Sequence, residues 1–282
     1  MRTLRTVAEL RAALARPKRA GRTIGLVPTM GAFHEGHLSL MRRARQETDE
    51  LVVSLFVNPT QFNEQRDLAL YPRDEARDAA LAESAGVALL FAPVADELYP
   101  PGFATSVTVT GVTEPMEGAQ RGPEHFRGVA TIVAKLFNVA QPTAAYFGQK
   151  DAQQALVIRR MARDLDFPLR VVVCPTVRES DGLAMSSRNV RLDADARRRA
   201  LALKLGLDAA RDRIAAGARR ADDAAAAARA AMRAFDVEPE YFEIVSADTL
   251  APVEPLAGEL LLAVAARVGG VRLIDNALVE VS

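Results

Sequence analysis

Residues 23–57 read TIGLVPTMGAFHEGHLSLMRRARQETDELVVSLFV, and this stretch decides the architecture. Thr23–Val27 is apolar and of strand length. The chain then turns on Gly31 and enters a helix over Gly36–Thr48, whose apolar positions recur at helical spacing. A second strand comes at once, Glu50–Val57. A strand, a tight turn, a helix and another strand make the unit from which parallel sheets are built.

The same alternation continues outward. A helix is predicted over Asp74–Ser84 and a strand over Val87–Phe91. A loop-rich stretch with a strand at Ser106–Thr110 comes next, then a helix over Arg127–Val139 and a strand at Ala144–Phe147. A helix over Gln153–Leu165 and a strand at Leu169–Val173 complete the set. Strands that are apolar throughout, separated by helices, imply an α/β doubly wound (Rossmann-like) domain, with a parallel sheet covered on both faces. Ligands of such a domain sit at the carboxyl ends of the strands. Beyond about Pro175 the pattern changes to two Ala/Arg-rich helices, Ala194–Ala215 and Asp222–Phe235, and then three strands, Tyr241–Val245, Leu260–Ala266 and Val271–Asn276. This predicts two domains: residues 1–176, the larger, and residues 177–282, a smaller α+β one. The five consecutive alanines at 224–228 are helix formers without functional content.

Composition narrows the function classes. The 282 residues are 49% hydrophobic and 26% charged, with 36 basic and 36 acidic side chains, so the formal net charge is zero. A neutral chain without a long basic run does not point to nucleic acid. Met1 to Gly21 is Arg-rich and amphipathic and lacks the apolar core of a secretory signal. The longest apolar runs, Leu51–Val57 and Leu260–Ala266, fall far short of a bilayer-spanning helix. Cys174 is the sole cysteine, so no intramolecular disulfide forms and a cytoplasmic location is the expectation. It reads as a small strand residue, not as a reactive thiol.

Three clusters carry the chemistry. The first is Pro28-Thr29-Met30-Gly31-Ala32-Phe33-His34-Glu35-Gly36-His37. His34 and His37, three apart at a helix start, share one side, where unpaired N–H groups and the positive helix end favour an anion. The chain has three histidines and two stand here. A zinc site is the competing reading, but the metalloprotease motif needs spacing i, i+4, and no partner set of Cys or His exists; a capping or surface role is the other. The second cluster, Phe147-Gly148-Gln149-Lys150-Asp151-Ala152-Gln153-Gln154, also comes after a strand and opens a helix. Lys150 is one of four lysines beside 32 arginines, a compact point charge suited to phosphate. A solvated helix start is its bland alternative. The third, Val177–Asn189, contains Met185-Ser186-Ser187-Arg188, with hydroxyls and a guanidinium able to wrap a triphosphate; alone it is a weak signal. The G-x-G-x-x-G, P-loop and G-x-S-x-G signatures are missing from the sequence, which disfavours a dehydrogenase, a P-loop kinase or a serine hydrolase.

Taken together the clusters resemble the His-x-Gly-His nucleotidyltransferases, the superfamily that includes class I aminoacyl-tRNA synthetases. Pro28–His37, Phe56–Phe62, His125–Val129, Phe147–Gln154 and Asp181–Asn189 are together similar to the pantothenate synthetase family, in order and spacing from about residue 20 to residue 190. The resemblance implies an ATP-dependent ligase of vitamin B5 and coenzyme A biosynthesis. It would condense (R)-pantoate with β-alanine to pantothenate, AMP and diphosphate through pantoyl adenylate, using Mg²⁺ and acting as a homodimer. It implies that Met30, Gly31, Ala32, Phe33, His34, Glu35, Gly36 and His37 line the ATP site, with His37, His34 and Lys150 catalytic. Gly148, Gln149, Lys150 and Asp151 would contact ATP, as would Val177, Met185, Ser186, Ser187 and Arg188, the last four covering the nucleotide. Gln61 would bind pantoate and β-alanine, Gln154 would bind pantoate, and Asp78 would belong to the Mg²⁺ shell. Two departures stand out: Gln149 replaces a Glu common in the family, and the loop Glu117–His125 is one residue longer, which leaves Arg121 and His125 outside the set of site residues.

The residue types fit that chemistry. Acyl transfer by way of an adenylate needs no covalent enzyme intermediate, and the chain offers no convincing activated nucleophile. Two alternatives are a nucleotidyltransferase acting on a phosphate acceptor, disfavoured by neutral Gln61 and Gln154, and a non-catalytic nucleotide binder, disfavoured by intact His34, His37 and Lys150.

Overall fold

The alternation of apolar strands and amphipathic helices is realised in the computed structural model, which describes residues 1–62, 68–69 and 71–282. A short strand, β1 (Arg2–Leu4), leads to helix Val7–Arg19, which opens on a reciprocal cap between Thr6 and Glu9. Next come β2 (Ile24–Thr29), helix Glu35–Glu47 and β3 (Glu50–Leu55). Helix Glu75–Ser84, β4 (Leu89–Phe91), helix Pro123–Ala140, β5 (Ala144–Gly148), helix Ala152–Asp164 and β6 (Arg170–Cys174) come after. The sheet is parallel throughout, in the order β1-β4-β3-β2-β5-β6. Strand order reverses between β2 and β5, and the crevice outside the carboxyl ends of those two strands is the ligand position of this architecture.

Successive strand residues serve opposite faces. Leu26 and Val52 pack with Leu10, Leu14, Val133 and Phe137 on one side; Val27 and Val53 pack with Met41, Ala44 and Ala82 on the other. Gly25 has no side chain because a Cβ there would stand 2.5 Å from Thr48 Oγ1, at the end of the helix that returns from the histidine turn. Small size in the strand thus sets the seat of that helix.

The α/β reading holds, with a second, α+β unit. Helices Ala194–Ala200, Ala202–Ala215 and Ala221–Arg233 pack on an antiparallel sheet of β7 (Pro239–Ser246), β8 (Gly258–Val268) and β9 (Val271–Val281). Leu203, Leu207, Met232, Phe242, Leu262 and Val264 share its core. One compact unit comprises Met1–Gly148 and Gln153–Pro175, the other Gln149–Ala152 and Thr176–Ser282. The turn Gln149–Ala152 therefore groups with the second unit, a detail that a single boundary near residue 176 does not provide for.

Two predicted elements differ. Ser106–Thr110 is not a strand. Its alternation is real, since Val107 and Val109 pack on the core, but the Val107 N–H is satisfied by Thr131 Oγ1 at 2.9 Å and not by a neighbouring strand. The helix predicted over Ala194–Ala215 is two helices, meeting at Leu201, whose dihedrals stay helical (φ −61°, ψ −19°). A junction of that kind requires neither Gly nor Pro and leaves no mark in the sequence.

Gly128, in helix Pro123–Ala140, sets how closely that helix approaches the turn after β3. A Cβ on it would lie 2.5 Å from the carbonyl oxygen of Thr60 and 2.8 Å from the Gln61 nitrogen. Both are backbone atoms and cannot swing aside. Gly128→Ala is expected to lower unfolding free energy by about 1–3 kcal/mol, an overpacking cost, and to displace the backbone at Thr60 and Gln61. Urea denaturation measures the first effect, and an unchanged midpoint would show that the helix can withdraw freely.

Candidate functional site

The chain leaves β2 at Thr29, and its next residues adopt a backbone few side chains tolerate. Gly31 has φ +91° and Ala32 φ +53°. A Cβ on Gly31 would meet Leu55 Cδ1 at 2.8 Å and Asp78 Oδ2 at 2.9 Å, so glycine is required by space and by dihedral. This geometry aims consecutive N–H groups at one carboxylate: Ala32 N donates to Asp78 Oδ2 (2.7 Å) and Phe33 N to Oδ1 (2.8 Å). Asp78 is wholly buried. Its helix, Glu75–Ser84, is capped by Asp74, which accepts from Arg77 N at 3.0 Å.

The turn so anchored delivers the two histidines. His34 is the N-cap of helix Glu35–Glu47, its Nδ1 accepting from Gly36 N at 3.1 Å; His37 Nδ1 accepts from His34 N at 3.4 Å. A backbone N–H can only donate, so both Nδ1 atoms are unprotonated and each neutral ring carries its proton on Nε2. The rings lie 4.2 Å apart between centroids, and Phe33, buried beneath, is 5.6 Å from His37. Two Nε2–H donors at a helix N-terminus suit an anionic ligand. The capping and anion-binding readings of the pair are thus compatible, since the cap occupies Nδ1 of each ring and not Nε2. Glu35 is exposed and pairs with Arg42.

Gln61 closes a short turn, Pro59–Gln61, after β3. Its Nε2 donates to Met30 Sδ (2.9 Å) and its Oε1 accepts from Asn58 Nδ2 (3.0 Å). A thioether is a weak acceptor, so a ligand oxygen would readily take this N–H from it. Asn58, almost fully buried, also donates to Gly128 O (3.1 Å) and accepts from Tyr99 OH (2.9 Å). His125 Nδ1 donates to the Gln61 carbonyl at 2.8 Å. The first unit therefore brings Met30, His34, His37 and Gln61 together around the ends of β2 and β3. Asn58 and Gly128, to which the sequence reading gave no role within Phe56–Phe62 and His125–Val129, and Tyr99, which it did not single out, hold Gln61 in place. The signal available was Asn58-Pro59, a turn-initiating pair.

On helix Ala152–Asp164, Gln154 is half-buried. Its neighbour Gln153 is buried and structural: it accepts from Glu117 N (3.0 Å) and donates to Val112 O (2.9 Å) and Pro115 O (2.8 Å). These bonds fix the start of a short helix, Glu117–Arg121, on which Arg121 pairs with Glu117 at 2.8 Å; the expected loop Glu117–His125 is therefore mostly helical, with only Gly122 between this helix and Pro123–Ala140. Gly148 ends β5, paired with Cys174. The Cys174 thiol is buried and pushed up by desolvation, an inert strand residue.

In the second unit, Gln149–Asp151 form one 3₁₀ turn, with Lys150 Nζ 3.9 Å from Asp151 Oδ1 and its side chain mostly covered. Val177–Met185 fold as a small hairpin: Met185 N donates to Val177 O (3.0 Å) and Glu179 N to Leu183 O (2.9 Å). Gly182, at φ +95°, makes its bend. Arg197 binds Glu179 (2.8 Å) and Asp181 (2.6 Å), and its hydrogen bond holds the Glu179 carboxyl below its ordinary range. Ser186, Ser187 and Arg188 come next, half-buried, with Arg188 N donating to Ser186 Oγ at 3.2 Å. Thr176 Oγ1 and Asn189 Oδ1, buried and without hydrogen-bond partners among the described residues, stand at the two ends of this segment.

The expectation that Asp78 belongs to a Mg²⁺ shell is corrected. Mg²⁺ needs open oxygens and room for waters, and both Asp78 oxygens are turned to backbone N–H groups in the core. Among the described residues no group of three His, Cys, Asp or Glu could hold a metal ion, and no helix is long and apolar enough to cross a membrane.

A doubly wound sheet whose central strand ends in a histidine-bearing helix start belongs to the class of α/β enzymes that bind nucleotides at the switch point. The family described as pantoate-beta-alanine ligase matches residues 2–278. A pantothenate synthetase of Moorella thermoacetica is 54% identical over 286 residues, covering 100% of both chains. The crystal structure of pantothenate synthetase from Thermus thermophilus superposes with a TM-score of 0.92 at 51% identity, over 98% of this chain and 99% of that one. A pantoate-beta-alanine ligase from Francisella tularensis, complexed with beta-gamma ATP and beta-alanine, has a TM-score of 0.80 at 30% identity, over 99% and 97%. The chain belongs to the pantoate–β-alanine ligase family.

Asp78→Asn separates anchor from ligand. The carboxamide can accept one of the two N–H groups but turns its own NH₂ on the other. Stability is expected to fall by about 1.5–3 kcal/mol, the worth of a hydrogen bond to a charged group, at any magnesium concentration. Restoration of activity by excess Mg²⁺ with a normal melting temperature would reinstate the metal role.

Proposed function

We propose that the chain joins (R)-pantoate to β-alanine at the expense of ATP, in two steps. A pantoate carboxylate oxygen attacks the α-phosphorus, the bond to the β,γ-phosphates breaks, and diphosphate leaves. The β-alanine nitrogen then attacks the acyl carbon of pantoyl adenylate, loses a proton, and AMP departs, leaving pantothenate. The observation that carries this reading is the pair of Nε2–H imidazoles that Asp78 and the helix cap hold at the end of β2. They are oriented before any ligand arrives, which is what stabilisation of growing phosphate charge demands. The family match over residues 2–278 supports the choice of acid and amine, as does the Francisella relative's complex with a nucleotide and beta-alanine.

In this proposal Met30–His37 line the nucleotide, with His37 meeting the transition-state charge and His34 beside it. Lys150 neutralises departing diphosphate, with Gly148, Gln149 and Asp151 along the nucleotide. Val177 and Met185–Arg188 complete its surroundings. Gln61 and Gln154 orient pantoate with neutral amides, adding no charge to a carboxylate about to attack a phosphate. Magnesium enters as the ion of the MgATP substrate. Assembly as a homodimer, a cytoplasmic location and a working division near residue 176 are parts of the same proposal.

The test is AMP release with ATP, Mg²⁺, pantoate and β-alanine, omitting each in turn, together with exchange of labelled pyrophosphate into ATP. Exchange is expected with pantoate alone, before β-alanine is added; a requirement for β-alanine would rule out the free adenylate. His37→Ala should lower turnover about a hundredfold or more with an unchanged melting temperature. Equal turnover in that variant would remove His37 from the chemistry.

A further inference from the structure

The middle of β9 carries a polar pair, Asp275-Asn276, in a strand whose Val271, Leu273, Val279 and Val281 pack on the core of the second unit. Both are buried, 3% and 5% exposed. Polar groups are buried in a sheet only when fully paired, and these are. Asn276 Nδ2 donates to the carbonyl oxygens of Gln149 and Lys150, 2.9 Å each, and its Oδ1 accepts from Gln149 Nε2 at 3.0 Å. The orientation of the amide is fixed by chemistry: two carbonyls can only accept, so the nitrogen must face them. The strand itself is braced, since Asn276 N donates to Asp275 Oδ1 (2.8 Å), and Asp275 grips Arg178 through two bonds of 2.6 and 3.0 Å.

A 3₁₀ turn of three residues is held by few hydrogen bonds of its own, and those of poor geometry. The carbonyls of Gln149 and Lys150 are fixed from β9, by a side chain more than a hundred residues away in sequence. Gln149 supplies the N–H that completes the amide pair; a carboxylate at that position could not donate to Asn276 Oδ1.

We propose that Asn276 is a positioning residue for Lys150: its carboxamide holds the Gln149–Asp151 turn so that the Lys150 ammonium stands where diphosphate departs. The proposal rests on the assignment of Lys150 to the phosphates. Asn276 touches no substrate. Its effect is confined to the step in which phosphate charge moves, and leaves the amine step alone.

The experiment compares Asn276→Ala, Lys150→Ala and the double variant in two assays. One is pyrophosphate exchange into ATP with pantoate and Mg²⁺; the other is conversion of preformed pantoyl adenylate and β-alanine to product. Asn276→Ala is expected to lose about tenfold to a hundredfold in exchange, through kcat more than through KM for pantoate, with the second assay near wild type. The double variant should exchange no more slowly than Lys150→Ala alone, because both changes remove one function. Asn276→Asp, nearly isosteric but unable to donate to two carbonyls, should reproduce the loss and serves if the alanine variant folds poorly. Wild-type exchange in Asn276→Ala, multiplying losses in the double variant, or equal loss in both assays overturns the proposal. If Lys150→Ala itself exchanges normally, the Lys150 assignment is what fails, and the proposal falls with it.

Discussion

Two hydrogen bonds to one buried carboxylate govern the site. Asp78 takes the N–H groups of Ala32 and Phe33, and in doing so holds Gly31 and Ala32 in the left-handed region. Left-handed backbone is costly for a residue with a Cβ. A charge-assisted pair of bonds inside the core is strong enough to offset that strain, because no water competes for the carboxylate. What the strain achieves is direction. The chain leaves β2, reverses sharply, and starts its helix with His34 as cap, so both imidazoles are committed by Nδ1 before a ligand enters.

The same logic explains why carboxamides recur. Asn58, Gln61, Gln153 and Asn276 each satisfy several backbone or side-chain groups without net charge. A carboxylate in these places could not donate to the acceptors they hold, and a lysine or arginine could not accept. Two buried carboxylates are satisfied internally, Asp78 by backbone N–H groups and Asp275 by Arg178. In the first unit the donors preorganised at the end of β2, the two imidazoles and the Gln61 amide, are therefore neutral. Such a set suits an anionic ligand, which it would meet through hydrogen bonds.

Much of this was legible in the sequence because it is local. The stretch 23–57 shows its strand, turn, helix and strand through apolar period and one glycine, and both histidines sit inside it. Gln61 and Lys150 likewise lie just beyond strands, where the doubly wound rule puts ligands. What the sequence withheld is tertiary. Asp78 reads as a carboxylate in search of a cation, and only the fold shows that two amides already claim it. Ser106–Thr110 alternates like a strand because a segment lying half-buried beside a helix needs the same period. Asn276 gives no signal at all, since its partners are backbone carbonyls far away in the chain.

That difference has a physical origin in how the two kinds of residue act. A group that meets the ligand must sit at a strand end or helix start, and those positions announce themselves through periodicity breaks, glycines and caps. A group that positions another can stand anywhere the fold brings it, and its requirement is pairing, not location. Asn276 meets that requirement in mid-strand, where a polar side chain has no reason to be buried unless something depends on its three bonds. A 3₁₀ turn without such support is free to twist about its flanking residues, and a lysine on it would spread its charge over a wider volume than a phosphate oxygen occupies. Confinement of the ammonium therefore begins with the backbone that carries it, and in this chain that backbone is tied down by a neutral amide on another strand.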